Sequence, residues 1–265
     1  MPELPEGAPC WADVTLPDLE AGMQFYGELF GWTFEGGSAE YGHYTQARSD
    51  GKAVAALAPV APGQEGAPAA WTLYFASSDI GATARRIREH GGEVLMDPMQ
   101  VGPFGTMLMA RDPSGAAFAV WQPGEHQGFA KQGEPGSFCW AEIATRDVDA
   151  VDAFYPAVFP ITAKRMGEAS EMDYKVFEVG GTMMLGRFPM GADIPADVPA
   201  HVEVIFAVED CDDAAARATK MGGQVTAGPE DSPYGRYAVV KDPQGATFSI
   251  LDPSRTVGEM PKVEG

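Results

Sequence analysis

Residues 10–30 read CWADVTLPDLEAGMQFYGELF, and residues 139–159 read CWAEIATRDVDAVDAFYPAVF. Cys10, Trp11, Asp18, Phe25, Tyr26 and Phe30 all recur at an offset of 129. The ends of the two halves agree as well: GGEV at 91–94 answers GGQV at 222–225, and RDPSGAAFAVWQP at 111–123 answers KDPQGATFSILDP at 241–253. A fixed period of this length decides the architecture before any single element is read. The chain is a tandem repeat of two halves, 1–125 and 137–265, joined by a Gly-, Pro- and polar-rich linker at 126–136.

Each half is itself double. The ragged segments PVAPGQEGAPAA (59–70) and RFPMGADIPADVPA (187–200) fall at matching places and divide the halves into modules of about 8–60, 69–123, 137–188 and 200–253. Within a module the periods are legible. WADVTL alternates, placing Ala12, Val14 and Leu16 on an apolar face and Trp11, Asp13 and Thr15 on the other. Asp18 then caps a helix carrying Leu19, Met23, Tyr26 and Phe30 at helical spacing. Strands are predicted at 41–48 and 52–58. The next module repeats the order, with a strand at 71–77, a helix at 78–92 ending on a Gly pair, and two strands joined by the turn DPSG.

Composition narrows the function. The 265 residues are 45% apolar and carry a net charge of −20, a field that repels phosphate backbones and anionic lipid. No stretch is long and apolar enough to span a membrane, and MPELPEGAP lacks the features of a signal peptide. The expected setting is the cytoplasm, with a small molecule rather than nucleic acid or membrane as partner. Cys10, Cys139 and Cys211 form no C-x-x-C pair and read as free thiols, the first two facing the helices.

Four strand-helix-strands modules, the opening D-L-E-x-x-x-x-F-Y-x-x-L-F-G-W and a D-P-x-G hairpin at Asp112–Gly115 and again at Asp242–Gly245 resemble the glyoxalase, bleomycin-resistance and extradiol-dioxygenase (vicinal oxygen chelate) superfamily. The two-domain layout looks like actinobacterial glyoxalase-like proteins often labelled hydroxylases. The resemblance implies an α+β fold: tandem domains of four βαβββ modules, forming two cup-shaped mixed sheets with helices on the convex side. It also implies a ligand or divalent metal on the concave side. Because the fused halves already supply what single-domain relatives obtain by dimerising, it is consistent with a monomer and leaves a homodimer open.

Counting from the shared motifs, the positions that would hold a metal fall on Trp11, Thr72 and Ala119 in the first half and on Trp140, Glu203 and Ser249 in the second, with apolar fourth-strand positions near Val54 and Leu185. Only Glu203 is a strong ligand, and a catalytic metal usually has about three. No metal or other cofactor is therefore expected. His43, His90, His126 and His201 read as surface or capping residues; His201 with Glu203, and a carboxylate such as Glu142 from the facing strand, is the one alternative metal grouping.

The cups are then expected to be aromatic, lined by Trp11, Asp13 and Tyr74 with Phe104 and Trp121 in one half, and by Trp140, Glu142, Glu203 and Tyr234 in the other. A flat indole can stack on a planar ligand, and the nearby carboxylate can accept a hydrogen bond or pair with an amine. The repeated Trp can equally be core packing. Three functions remain open: binding a small aromatic or planar metabolite or antibiotic; an isomerase, cyclase or lyase using Asp13, Glu142 or Glu203 as general base; and a metal-dependent glyoxalase or dioxygenase.

Overall fold

The computed structural model describes residues 4–167 and 172–263. Sixteen strands and four α-helices run in the order that the repeat requires. Strands β1 (Pro9–Leu16), β2 (Thr33–Gly36), β3 (Thr45–Ser49), β4 (Lys52–Pro59), β5 (Ala70–Ala76), β6 (Glu93–Val101), β7 (Gly105–Arg111) and β8 (Ala117–Pro123) form one eight-stranded mixed sheet ordered β2-β3-β4-β1-β5-β8-β7-β6. Strands β9 (Phe138–Thr145) through β16 (Thr247–Asp252), among them β13 (His201–Ala207), form the second in the same order. The first strand of each module pair sits mid-sheet, between a parallel and an antiparallel neighbour.

All four helices start the same way. The side chains of Asp18, Asp79, Asp147 and Asp210 accept the backbone N–H three residues on, opening α1 (Leu19–Phe30), α2 (Ile80–Glu89), α3 (Val148–Val158) and α4 (Cys211–Lys220). The faces predicted for β1 are observed: Ala12, Val14 and Leu16 enter the main core. That core is shared by both halves. α1 packs on α4, α2 packs on α3, and Trp71 of one half meets Phe206 of the other at 4.9 Å between ring centroids. The convex sides thus face each other, and the concave sides are left for other uses.

Three local expectations are corrected. The strand predicted at 41–48 begins only at Thr45, because Ala39–Tyr41 is a 3-10 turn and His43 has a φ of 62°. Cys10 does not face the helices; a bulge between Pro9 and Trp11 turns both Cys10 and Trp11 into the concave cluster. Val54 and Leu185 lie in the convex core, and the fourth-strand residues opposite Asp13 and Glu142 are Ala56 and Gly186. Among the described residues, no helix is long and apolar enough to cross a membrane.

Candidate functional site

Each cup is built on the same three residues. In the first, Trp11 Nε1 donates to the Tyr44 hydroxyl at 2.7 Å, and Tyr44 in turn donates to Asp13 Oδ2 at 2.9 Å. In the second, Trp140 Nε1 donates to the Tyr174 hydroxyl at 3.1 Å, and Tyr174 donates to Glu142 Oε1 at 2.7 Å. Alternation points Trp and carboxylate inward from the first strand, and the third strand brings the phenol across to join them. The tyrosines were missed in the sequence although they share an offset of 130.

The cups then diverge. Tyr74 adds a second phenol to Asp13 Oδ2 at 2.6 Å, and the chain leaving β8 folds back over the site. His126 stands edge-on to Trp11 at 4.4 Å, Phe129 lies 5.5 Å from it, and Trp121 Nε1 donates to the His126 carbonyl at 2.9 Å. Backbone bonds from Phe129 to Cys10 and from Ala130 to Ala53 hold this segment down. Trp11, Tyr74 and Trp121 retain 2%, 6% and 6% of their surface. The expectation of a surface or capping His126 is therefore corrected: burial pushes its imidazole down to about 4, and its Nε2 is buried without a partner. Asp13 is pushed up to about 6 by burial, against the pull of the Tyr74 and Tyr44 hydrogen bonds.

The matching residues of the second cup are less buried. Trp140, Glu142, Glu203 and His201 are only half-buried. Glu203 lies directly opposite Glu142 in the β13–β9 register, where the first half pairs Asp13 with Thr72. Ser249 donates to Glu203 Oε1, and His201 Nε2 lies 3.2 Å from Glu203 Oε2. Glu142 is pushed up to about 7, first by burial, with Tyr174 pulling down, Glu203 adding repulsion and His201 opposing it. His201 is raised despite its burial, because Glu203 and the Pro199 carbonyl accept from it and both Glu203 and Glu142 attract its charge. The described chain after β16 takes a different course. It ties the sheet's edges together, with Val257 N–H on the Ser232 carbonyl and Gly167 N–H on the Lys262 carbonyl. Tyr234 lies on this rim against Met166, while Phe104 sits on the first cup's rim against Tyr41.

Residues 11–120 match the Glyoxalase/Bleomycin resistance protein/Dioxygenase superfamily, and residues 140–251 match a Glyoxalase-like domain. The chain is 42% identical over 259 residues to the anthracycline biosynthesis protein DnrV of Streptomyces peucetius, covering 93% of each chain. The chain belongs to this superfamily. Glyoxylase CFP32, by name, of Mycobacterium tuberculosis is 40% identical, with 95% of this chain and 97% of the relative covered. Among solved structures, the 2,3-dioxygenase LapB from Pseudomonas sp. KL28 superposes with a TM-score of 0.65 at 13% identity, over 98% of this chain and 95% of that one, a likeness of fold alone.

A glyoxalase-superfamily cup raises the question of a divalent metal, and the donors here do not fit one. In the first cup the expected metal-ligand positions, Trp11, Thr72 and Ala119, carry an indole, a threonine and an alanine. In the second, the His201 imidazole is turned onto Glu203, Glu142 is held by Tyr174, and Trp140 occupies the first-strand position. Among the described residues, no group of three or more His, Cys, Asp or Glu side chains is placed to hold a metal ion.

Proposed function

We propose that this protein binds a small, flat aromatic molecule in its second cup, for sequestration or for a step in specialised metabolism, and that its first cup is packing. One observation carries the reading. Two cups share a Trp-Tyr-carboxylate frame, yet among the described residues only the first Trp is covered by the protein's own His126 and Phe129. The ring that Phe129 brings to Trp11 marks the place where a planar ligand would lie on Trp140. The name anthracycline biosynthesis protein, carried by two relatives at 42% and 40% identity, supports a fused-ring aromatic ligand.

The test is a titration with neutral, cationic and anionic anthraquinones, followed by tryptophan fluorescence and calorimetry. One molecule should bind per chain, and Trp140→Phe should remove most of the quenching while Trp11→Phe leaves affinity unchanged. Two equivalent sites, or quenching indifferent to Trp140, would overturn the reading.

A further inference from the structure

Glu142 and Glu203 face each other across adjacent strands but are supplied with hydrogen-bond donors very differently. Glu203 receives Ser249 on one oxygen and His201 on the other; Glu142 receives the single phenol of Tyr174. His201 Nδ1 lies 2.9 Å from the Pro199 carbonyl, an acceptor only, so that nitrogen carries a hydrogen. Its Nε2 then faces Glu203 either as a second N–H or as the acceptor of a carboxyl proton. In both cases one proton is shared between His201 and Glu203, and the imidazole, with 36% of its side chain exposed, connects that proton to solvent.

We propose that the second cup is an acid–base centre for keto–enol tautomerisation of a planar aromatic ketone, with Glu203 as the base and Glu142 as the acid. This rests on the binding reading above and adds an activity to it. The Glu203 carboxylate takes a hydrogen from the carbon next to the carbonyl. The C–H electron pair becomes the new C=C bond, the C=O π pair moves to oxygen, and that oxygen takes the proton of Glu142. The reverse transfers return the ketone, with solvent hydrogen entering through His201. No oxidant, reductant or co-reactant is consumed.

Geometry and electrostatics agree on the roles. Carboxyls on directly opposed strand positions have Cβ atoms about 5 Å apart, a spacing that lets them reach neighbouring atoms of one substrate. The acid must hold its proton near neutrality; burial, helped by the Glu203 charge, raises Glu142 to about 7 against the pull of Tyr174 and His201, and Tyr234 and Tyr237 are the other titratable groups that feel its charge. A buried carboxyl that keeps its proton near neutrality is suited to the acid role.

The probe is 2-tetralone in D2O, with deuterium entry beside the carbonyl followed by NMR and binding followed by Trp140 quenching in the same samples. The full chain should accelerate exchange about a hundredfold over buffer. Glu203→Gln and Glu142→Gln should each abolish that gain while still binding the ketone, and Glu203→Asp should restore part of it; melting curves confirm that each variant is folded. Binding without accelerated exchange, or exchange indifferent to Glu203→Gln and Glu142→Gln, overturns the acid–base proposal and leaves the binding reading standing. Absence of both binding and exchange overturns the two together.

Discussion

Tyr26 of the first half donates its hydroxyl hydrogen to Asp242 Oδ2 of the second at 2.8 Å, and Tyr155 repeats the contact on Asp112 Oδ2 at 3.2 Å. The other oxygen of each aspartate accepts backbone N–H groups of its own turn, from Ser114 and Ala116 or from Gln244 and Ala246. The D-P-x-G turn of one half therefore anchors the first helix of the other. Tyr26→Phe should cost about 1–3 kcal/mol, the range for a buried hydrogen bond losing one partner. Urea denaturation should show this as a lower midpoint with one cooperative transition retained, because the two halves share a core.

Asp13 gives a pH dependence of definite sign. Its folded value, about 6, lies above the ordinary carboxylate range, so the fold favours the protonated form. The resulting stabilisation is full below pH ~4 and is lost as the pH rises through about 6. Asp13→Asn keeps an oxygen for the two phenols and cannot ionise. Relative to wild type it should gain up to about 2–3 kcal/mol between pH ~4 and pH ~7. Melting curves at the two pH values test this, and parallel behaviour of the two proteins would refute it.

Gly186 should be indispensable to the second cup. A methyl group there would overlap the Tyr174 hydroxyl. Gly186→Ala should displace the phenol from both Trp140 and Glu142 and weaken binding of an anthraquinone about tenfold or more, the cost of losing one or two hydrogen bonds. Ala56, at the matching place beside Asp13, carries that methyl while Tyr44 keeps both its bonds, so the close approach of phenol to strand is particular to the second cup. The variant's affinity should fall with little change in melting temperature, as measured by calorimetry and thermal denaturation.

Phe129 should matter for stability and not for binding. It lies against Trp11 and stacks on Phe138 at 4.8 Å. Phe129→Ala should cost about 2–4 kcal/mol through the cavity it leaves. The number of anthraquinone molecules bound per chain should stay at one; a second site appearing in the first cup would show that Phe129 occupies a latent pocket.

Much of this was legible because a repeat states each fact twice. Trp11 with Trp140, and Asp13 with Glu142, stand at matching strand positions, and period-two alternation alone turns them inward. Tyr44 and Tyr174 escaped for a physical reason. Tyr44 stands just before its strand and Tyr174 opens its own, so no run of alternation precedes either, and their role exists only through bonds to a strand some 30 residues earlier in the chain.

The sequence by itself determined the doubled architecture, the helix opened by Asp18 and the inward indole-carboxylate pairs, since those follow from local period and capping chemistry repeated at a constant offset. Only the tertiary structure decided which cup is closed. Residues 126–130 have no periodicity to read, and their position is set by the burial of His126 and Phe129 on Trp11 together with backbone bonds to Cys10 and Ala53. The corresponding chain after β16 finds its partners at Ser232 and Gly167, on the sheet edges. Long-range packing, which local sequence does not encode, leaves Glu142, Glu203 and His201 half-buried.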